Sequence, residues 1–186
     1  MEQLRSSLGH GNTDTLRLAI KESAPVISHD HFWRVFLHDQ RNIPGACLLG
    51  LSIFMKAKDL QTIDAHNAFV ARLLLNGYEK VPVDSDVLVA CIELDGFHFG
   101  KATQGVADEF AEIGTDSFVY LFRGIGILSK KIALSSDQKR DLCTGILERL
   151  NVANWSRDFK IIYSNKLENT PGLNPEDKEM LDSLVQ

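Results

Sequence analysis

The stretch Ser28-His29-Asp30-His31 contains the residue types that come closest to a metal site in this chain. An imidazole nitrogen and a carboxylate oxygen are both good ligands for a divalent metal ion, and adjacent His and Asp on one helix would offer both to one ion. A protein metal site needs about three or four ligands, so this pair alone is incomplete.

A His-Asp pair on a helix resembles the ligand pair of the HD class of metal-dependent phosphohydrolases. The resemblance implies phosphate-ester hydrolysis at a metal ion held by His29 and Asp30 together with an earlier histidine and a later aspartate. The candidates for these two further ligands are His10 and either Asp64 or Asp95. His10, however, stands between Gly9 and Gly11, which favour a break in a helix. Asp30 is equally suited to cap a helix start, where its carboxylate accepts backbone N–H bonds. We therefore expect no metal or other cofactor and keep the phosphohydrolase as an alternative.

The three cysteines are Cys47, Cys91 and Cys143, and each stands among apolar neighbours. Their spacings match neither the paired cysteines of a zinc site nor a redox CxxC motif. Since free cysteine usually behaves as a small hydrophobic residue, we expect three buried, reduced thiols. The rest of the sequence contains no catalytic signature, so an enzyme is the less favoured interpretation.

The acidic residues are concentrated in the middle of the chain. Residues 1–78 hold seven acids and eight bases, residues 79–116 hold nine acids and two bases, and residues 117–186 hold nine acids and ten bases. The middle segment therefore has a net charge of −7, whereas each flanking segment has a net charge of +1. A negative field repels nucleic acid and attracts basic molecules. We expect a basic protein partner and no nucleic acid.

Eight residues of the middle segment form the predicted partner-binding set. Two of them are aromatic and stand between glycines in Gly96-Phe97-His98-Phe99-Gly100, and aromatic anchors are typical of interaction surfaces. The alternative is that both rings fill a gap between successive helix pairs, because aromatic residues are mostly core residues. The predicted set is Glu93, Asp95, Phe97, Phe99, Asp108, Glu109, Glu112 and Asp116.

Helices are expected to position these residues, because apolar residues recur at helical spacing along most of the chain. The pattern predicts an all-α fold made of helix pairs. Residues 155–163 are compatible with a helix or a strand, since Phe159, Ile161 and Tyr163 alternate with more polar positions. The predicted pairs are 1–8 with 13–27, 30–39 with 43–57, 60–76 with 84–96, 104–113 with 115–131, and 136–150 with 154–164.

A small residue recurs in the second helix of successive pairs, at Ala19, Gly50, Ala90 and Gly124. Small side chains there would let the first helix of each pair approach closely. Helix pairs with this recurrence resemble the HEAT and armadillo α-solenoids. The resemblance implies a curved stack of helix pairs with a binding face on its inner side. A compact, irregular helical bundle explains the same helices without a repeat and remains open.

The 186 residues suffice for one folded domain with a sizeable core. We predict a single helical domain over residues 1–164. Residues 165–186 are predicted to form an extended tail with a short C-terminal helix, because residues 165–175 contain two prolines and a glycine. The sequence has no apolar run of about 18 residues and no secretory layout at its start, so we expect a cytoplasmic protein that does not enter a membrane.

Three functions of different classes fit these observations. The favoured one is a small helical interaction module, either an adaptor or an inhibitor, for example an immunity protein that neutralises a basic toxin. Such a module would bind its basic partner through the acidic surface. The alternatives are the HD-type phosphohydrolase at His29 and Asp30, and a structural subunit that buries the acidic face in an oligomer. The oligomeric state and the identity of a partner do not follow from the sequence.

Overall fold

The residues that the computed structural model describes are 18–22, 24, 26–27, 39, 42, 45–132 and 134–186. Among them the fold is almost entirely helical, with eight α-helices and one pair of two-residue strands, so the predicted all-α class is confirmed. The chain divides into two compact units, Met1–Gln61 and Thr62–Gln186. Compact units need not be separate domains, and one domain over residues 1–164 stays a prediction. No helix of the described part is long and apolar enough to cross a membrane.

The first unit contains a short pair of parallel strands followed by one helix. Strand β1 (Val26–Ile27) pairs with strand β2 (Gly45–Ala46), and helix α1 spans Leu48–Ala57. The sequence predicted helix at all four strand residues, which is wrong. For β1 the physical reason is Pro25, which directly precedes the strand, and for β2 it is the cap at Cys47, whose side chain accepts the Gly50 N–H and so makes α1 begin at Leu48. Proline lacks the N–H that continues a helix and disfavours helical geometry at the residue before it.

Much of the first unit lies outside the described residues. The predicted helix 1–8 is one such segment. Most of the predicted helix 30–39 is another, and its last residue, Asp39, is described and is helical. Residues 18–22 are also helical, as the predicted helix 13–27 requires.

The second unit consists of seven α-helices joined by short loops. They are α2 (Ile63–Leu75), α3 (Ser85–Leu94), α4 (Lys101–Ile113), α5 (Ser117–Lys131), α6 (Ser136–Arg149), α7 (Arg157–Asn169) and α8 (Pro175–Ser183). Short 3-10 helices precede α5 at Gly114–Asp116 and α7 at Val152–Asn154. Five of the seven helices follow a Thr, Asp, Ser or Asn whose side-chain oxygen accepts an N–H of the first turn. These caps satisfy backbone donors that a helix leaves unpaired, which determines where each helix begins.

Alternate helices of the second unit contact each other and form two rows. In the first row α4 packs on α2 and on α6, and α8 continues the row beyond α6. In the second row α5 packs on α3 and on α7. Helix α3 also contacts α2 and α4, which joins the rows. The helices of the last three predicted pairs are all present, but α4 and α5 share only a small contact and α6 and α7 share even less, so a stack of helix pairs stays a prediction.

Glycines allow the alternate helices to approach closely. A methyl group on Gly124 of α5 would lie 2.7 Å from Cδ2 of Leu88 in α3, and one on Gly105 of α4 would lie 3.1 Å from Cβ of Leu74 in α2. The predicted role of Gly124 was to admit the first helix of its own pair. The structure corrects this prediction, because Gly124 faces the second helix of the preceding pair. An added methyl group would therefore overlap Leu88 at Gly124 and would press on Leu74 at Gly105.

Residues 157–163 belong to helix α7, so of the two predicted possibilities for residues 155–163 the helix is confirmed from residue 157 onwards. Ser156 caps α7 by accepting the N–H of Phe159 at 3.2 Å. Phe159, Tyr163 and Leu167 then recur every four residues and lie on the side of α7 that packs inward, where Tyr163 is fully buried. The alternation that suggested a strand arises because Ile161 is an exposed residue of the same helix.

A cluster of aromatic rings attaches α7 to α5. The ring of Tyr163 meets Phe118 at 5.3 Å and Phe122 at 5.0 Å, both nearly edge to face. This geometry places a positive ring edge against a negative ring face. The Tyr163 hydroxyl also donates a hydrogen bond to the Leu181 carbonyl oxygen at 3.0 Å, so the cluster reaches α8.

The C-terminal residues are more ordered than the predicted extended tail. Helix α7 continues to Asn169, and α8 packs on α6 and α7. Asp177 of α8 is buried, and its carboxylate accepts a hydrogen bond from Lys139 Nζ at 2.7 Å and one from Ser129 Oγ at 2.7 Å. The prediction of an extended tail from residue 165 is wrong at residues 165–169, because burial of Tyr163 and Leu167 stabilises helix through them.

Loss of the buried carboxylate should destabilise the protein strongly. Asp177→Ala leaves the Lys139 ammonium, whose side chain is 15% exposed, without its anion. Breaking a buried ion pair on one side typically costs about 3–5 kcal/mol. Asp141→Ala removes an exposed carboxylate of α6 and should change the free energy of unfolding by less than about 0.5 kcal/mol. Urea unfolding of both variants tests this, and equal midpoints would contradict it.

Candidate interaction site

The metal candidates of the sequence fall largely outside the described residues. His10, His29 and Asp30 belong to that part of the chain, whereas Asp64 and Asp95 are described. Among the described residues no group of three or more His, Cys, Asp or Glu side chains is arranged to hold a metal ion. The HD-type alternative therefore gains no support from the described part.

Asp95 is part of the fold rather than of the surface. Its side chain is buried, and its two carboxylate oxygens accept hydrogen bonds from the Ala102 N–H at 3.2 Å, the Thr103 N–H at 2.7 Å and the Thr103 hydroxyl at 2.7 Å. These bonds cap the start of α4, which begins after Gly100. Only glycine fits there, because a methyl group on Gly100 would lie 2.5 Å from Asp95 Cγ. The structure places this member of the predicted set where a partner has little access to it.

Basic residues of the last third of the chain pair with acids of the middle segment. The pairs are Glu93 with Lys131 at 3.7 Å, Asp108 with Arg149 at 2.5 Å, and Asp116 with Lys166 at 2.8 Å. The hydrogen bond and the negative charge of Asp108 raise the pKa of Arg149 above its ordinary value. All three are surface pairs, which contribute little to stability, about 0–1 kcal/mol each. They nevertheless neutralise part of the −7 charge that the sequence assigns to this segment.

Three members of the predicted set come together in one groove. Asp108, Glu109 and Glu112 of α4 line a cavity of about 1060 Å³, together with residues 79–83 of the loop before α3. Its charged residues are four acids and two bases, which gives a formal charge of −2. We call this cavity the acidic groove. Its charged residues are Glu79, Lys80, Asp108, Glu109, Glu112 and Arg149.

The acids of the acidic groove differ in how they are engaged. Asp108 is held by Arg149, and the Glu109 carboxylate accepts the Lys80 N–H at 2.6 Å. Within the described part of the chain, Glu79 and Glu112 are exposed and have neither an ion pair nor a side-chain hydrogen bond. These two carboxylates are therefore available to a ligand. The predicted set contained Glu112 but missed Glu79, whose loop position gave no helical spacing to identify it.

Phe97 and Phe99 lie apart from the acidic groove. Phe97 has a left-handed backbone (φ 63°) directly after Gly96 (φ 71°), and both phenylalanines are partly buried. A methyl group on Gly145 of α6 would lie 2.5 Å from Phe99 Cγ, so the Phe99 ring fits against that helix. The contact favours the alternative that Phe99 fills a gap between packed elements. Partner binding by either ring stays a prediction.

A second cavity, which the sequence analysis missed, lies next to the acidic groove. It has a volume of about 260 Å³, and its lining includes four aromatic residues: Phe110 and Phe118, which are almost fully buried, and Trp155 and Phe159, which are partly exposed. We call it the aromatic pocket. Ala111 of α4 lines both cavities, and the consecutive residues Arg149 and Leu150 line one each. The only sequence signal for this pocket was the four-residue spacing of Trp155 and Phe159, and the same spacing is typical of a helix in the core.

The buried thiols have the properties of core residues rather than of nucleophiles. Burial, with the nearby Asp95 charge, raises the pKa of Cys91 to about 12. Burial and the Asp177 charge raise the pKa of Cys143 to about 12 as well, against a smaller opposing effect of Lys139. Thiolate is the reactive form, so both groups are inert near neutral pH. Cys47 is only partly buried, and its Sγ accepts the Gly50 N–H at 3.2 Å.

The raised thiol pKa values predict a loss of stability at alkaline pH. In the unfolded chain a cysteine ionises near its ordinary pKa of 9.0, whereas in the folded protein Cys91 and Cys143 stay neutral until about 12. The unfolded state therefore releases protons first, and the free energy of unfolding falls as the pH rises from 9 towards 12. Between about pH 8 and pH 10 we expect a loss of about 1 kcal/mol per thiol.

Urea unfolding under reducing conditions at several pH values measures this slope. The variant Cys91→Ala/Cys143→Ala should lose the thiol contribution, whatever its stability at neutral pH. Cys47→Ala serves as the control and should keep the slope of the unsubstituted chain. An unchanged slope in the double variant would show that the buried thiols do not cause it.

Comparison with known proteins gives no indication of what these two cavities bind. No family model, no curated protein and no solved structure matches this chain. The function of the site therefore has to be inferred from the residues that line it.

Proposed function

We propose that this chain is a helical protein-interaction module that binds a basic segment of a partner protein in the acidic groove. The observation that supports this proposal best is the pair of unengaged carboxylates, Glu79 and Glu112, in a groove with a formal charge of −2. A lysine or arginine of the partner would meet them without first breaking an internal ion pair.

The remaining lining of the acidic groove suits a protein partner. Pro82, Ile113 and Tyr120 contribute apolar surface beside the carboxylates. Protein interfaces commonly combine apolar contact area with charged residues at the rim. The charges mainly accelerate association and select against acidic partners, while the apolar contacts slow dissociation.

Two forms of this function remain proposals of equal standing. The chain acts either as an adaptor or as an inhibitor, and an immunity protein that neutralises a basic toxin would be an inhibitor of this kind. The two rows of α2–α8 are compatible with a HEAT-like repeat, which would supply a stacked surface for a partner. We also propose that the protein acts in the cytoplasm.

Charge reversal at the two unengaged acids tests the acidic groove. Glu79→Lys/Glu112→Lys changes the formal charge of the groove from −2 to +2 and breaks no ion pair of the described residues. We expect this variant to bind a 12-residue peptide of alternating lysine and glutamine at least about tenfold more weakly at low ionic strength, because like charges repel. Fluorescence anisotropy of the labelled peptide gives the dissociation constants.

A variant with the same change in net charge provides the control. Glu168→Lys/Glu179→Lys alters two exposed acids of α7 and α8 that are not part of the acidic groove. Its peptide affinity should stay close to that of the unsubstituted chain. If both double variants weaken binding equally, the peptide responds to net charge alone and the acidic groove is not the site. For the native groove, raising the ionic strength from about 0.01 M to 0.15 M should also weaken binding, since the Debye length falls from about 30 to 8 Å.

A further inference from the structure

The aromatic pocket is a preformed cavity. The Trp155 indole N–H donates a hydrogen bond to the Leu150 carbonyl oxygen at 3.0 Å, which fixes the orientation of the ring. Its centroid lies 4.9 Å from that of Phe118 and 5.5 Å from that of Phe159. At the rim, the Asn154 side-chain amide donates to Asn151 Oδ1 at 2.7 Å. Walls that are held in this way need little ordering when a ligand binds.

The size and lining of the aromatic pocket limit what it can hold. Pockets for drug-sized molecules and cofactors typically measure about 300–1,000 Å³, and this one, at about 260 Å³, lies below that range. One amino-acid side chain is a better match. Among the described residues that line the pocket none is charged, so a cation would find no carboxylate inside it. The lining therefore favours an apolar or aromatic side chain.

Continuity with the acidic groove indicates the source of that side chain. Ala111 borders both cavities, and the ion pair of Asp108 with Arg149 lies next to Leu150 of the pocket. One extended segment of a partner can therefore occupy both. Because the acidic groove is negatively charged, it favours basic residues in the same partner segment.

We propose that the aromatic pocket receives an apolar anchor side chain, such as phenylalanine, from a partner segment whose neighbouring lysines or arginines occupy the acidic groove. This inference rests on the proposed function and adds the chemistry of the partner. The pocket contributes the tightly packed contact typical of a binding hot spot, and the acidic groove contributes charge selection. Recognition of the partner segment requires both cavities.

Three sets of 12-residue peptides serve as probes. The first contains alternating lysine and glutamine with phenylalanine placed at each position in turn, the second has alanine at that position, and the third keeps phenylalanine but replaces every lysine by glutamine. Trp155 reports occupancy of the pocket through its fluorescence in a Trp33→Phe background, since the chain has two tryptophans. We expect the best lysine–phenylalanine peptide to bind at least about tenfold more tightly than the matching lysine–alanine peptide, a difference typical of one well-packed anchor.

Two substitutions at one rim position separate the pocket from the fold. Asn154→Phe places a phenyl ring at the mouth of the aromatic pocket and should abolish the advantage of phenylalanine-containing peptides. Asn154→Ala removes the same hydrogen bond to Asn151 but leaves the mouth open, so it should keep that advantage. Thermal unfolding of both variants verifies that they fold.

The outcomes distinguish this inference from the proposed function. If lysine–phenylalanine and lysine–alanine peptides bind equally in every register, the apolar anchor is overturned. If both peptides nevertheless bind the Glu79→Lys/Glu112→Lys variant more weakly than the unsubstituted chain, the proposed binding in the acidic groove is still supported. Glutamine–phenylalanine peptides that bind as tightly as lysine–phenylalanine peptides would overturn the basic segment. A change in the solution mass of the protein alone on Asn154→Phe would assign the aromatic pocket to a second copy of the chain, which also overturns the proposal.

Discussion

Close packing of alternate helices is the constraint on which the second unit depends. Helix α5 lies against α3 because Gly124 leaves room for Leu88, and α4 lies against α2 because Gly105 leaves room for Leu74. Each contact joins elements that are separated by one intervening helix. Within each of the two rows, every helix packs on the helix two positions further along the chain. Residues from distant parts of the sequence therefore become neighbours.

The charge distribution in space follows from this stacking. Residues 79–116 are strongly acidic as a segment, but α5, α6 and α7 bring Lys131, Arg149 and Lys166 alongside them. A surface ion pair adds little stability because water already screens the charges. Its effect here is to divide the acids into those with a basic partner and those without one, and Glu79 and Glu112 belong to the second group.

The end of the second unit depends on buried polar and aromatic contacts. Asp177 would be costly to bury alone, and the ammonium of Lys139 together with the Ser129 hydroxyl satisfies its carboxylate. Tyr163 joins the same region through its ring contacts and its hydroxyl. These contacts position α7, and with it Trp155 and Phe159, which is why the aromatic pocket has a defined shape beside the acidic groove.

The sequence by itself determined the helical class and most helix positions of the second unit, because apolar spacing and capping residues such as Asp84 and Ser135 act locally. Glu112, a member of the predicted partner-binding set, is exposed in the structure, and its binding role stays a prediction. Only the tertiary structure decided that Asp95 caps α4, that Asp108 is paired with Arg149, and that Glu79 is not paired. The physical reason is that hydrogen bonds, ion pairs and burial depend on distances between residues far apart in the chain, whereas helix propensity and capping depend on neighbours within a few residues.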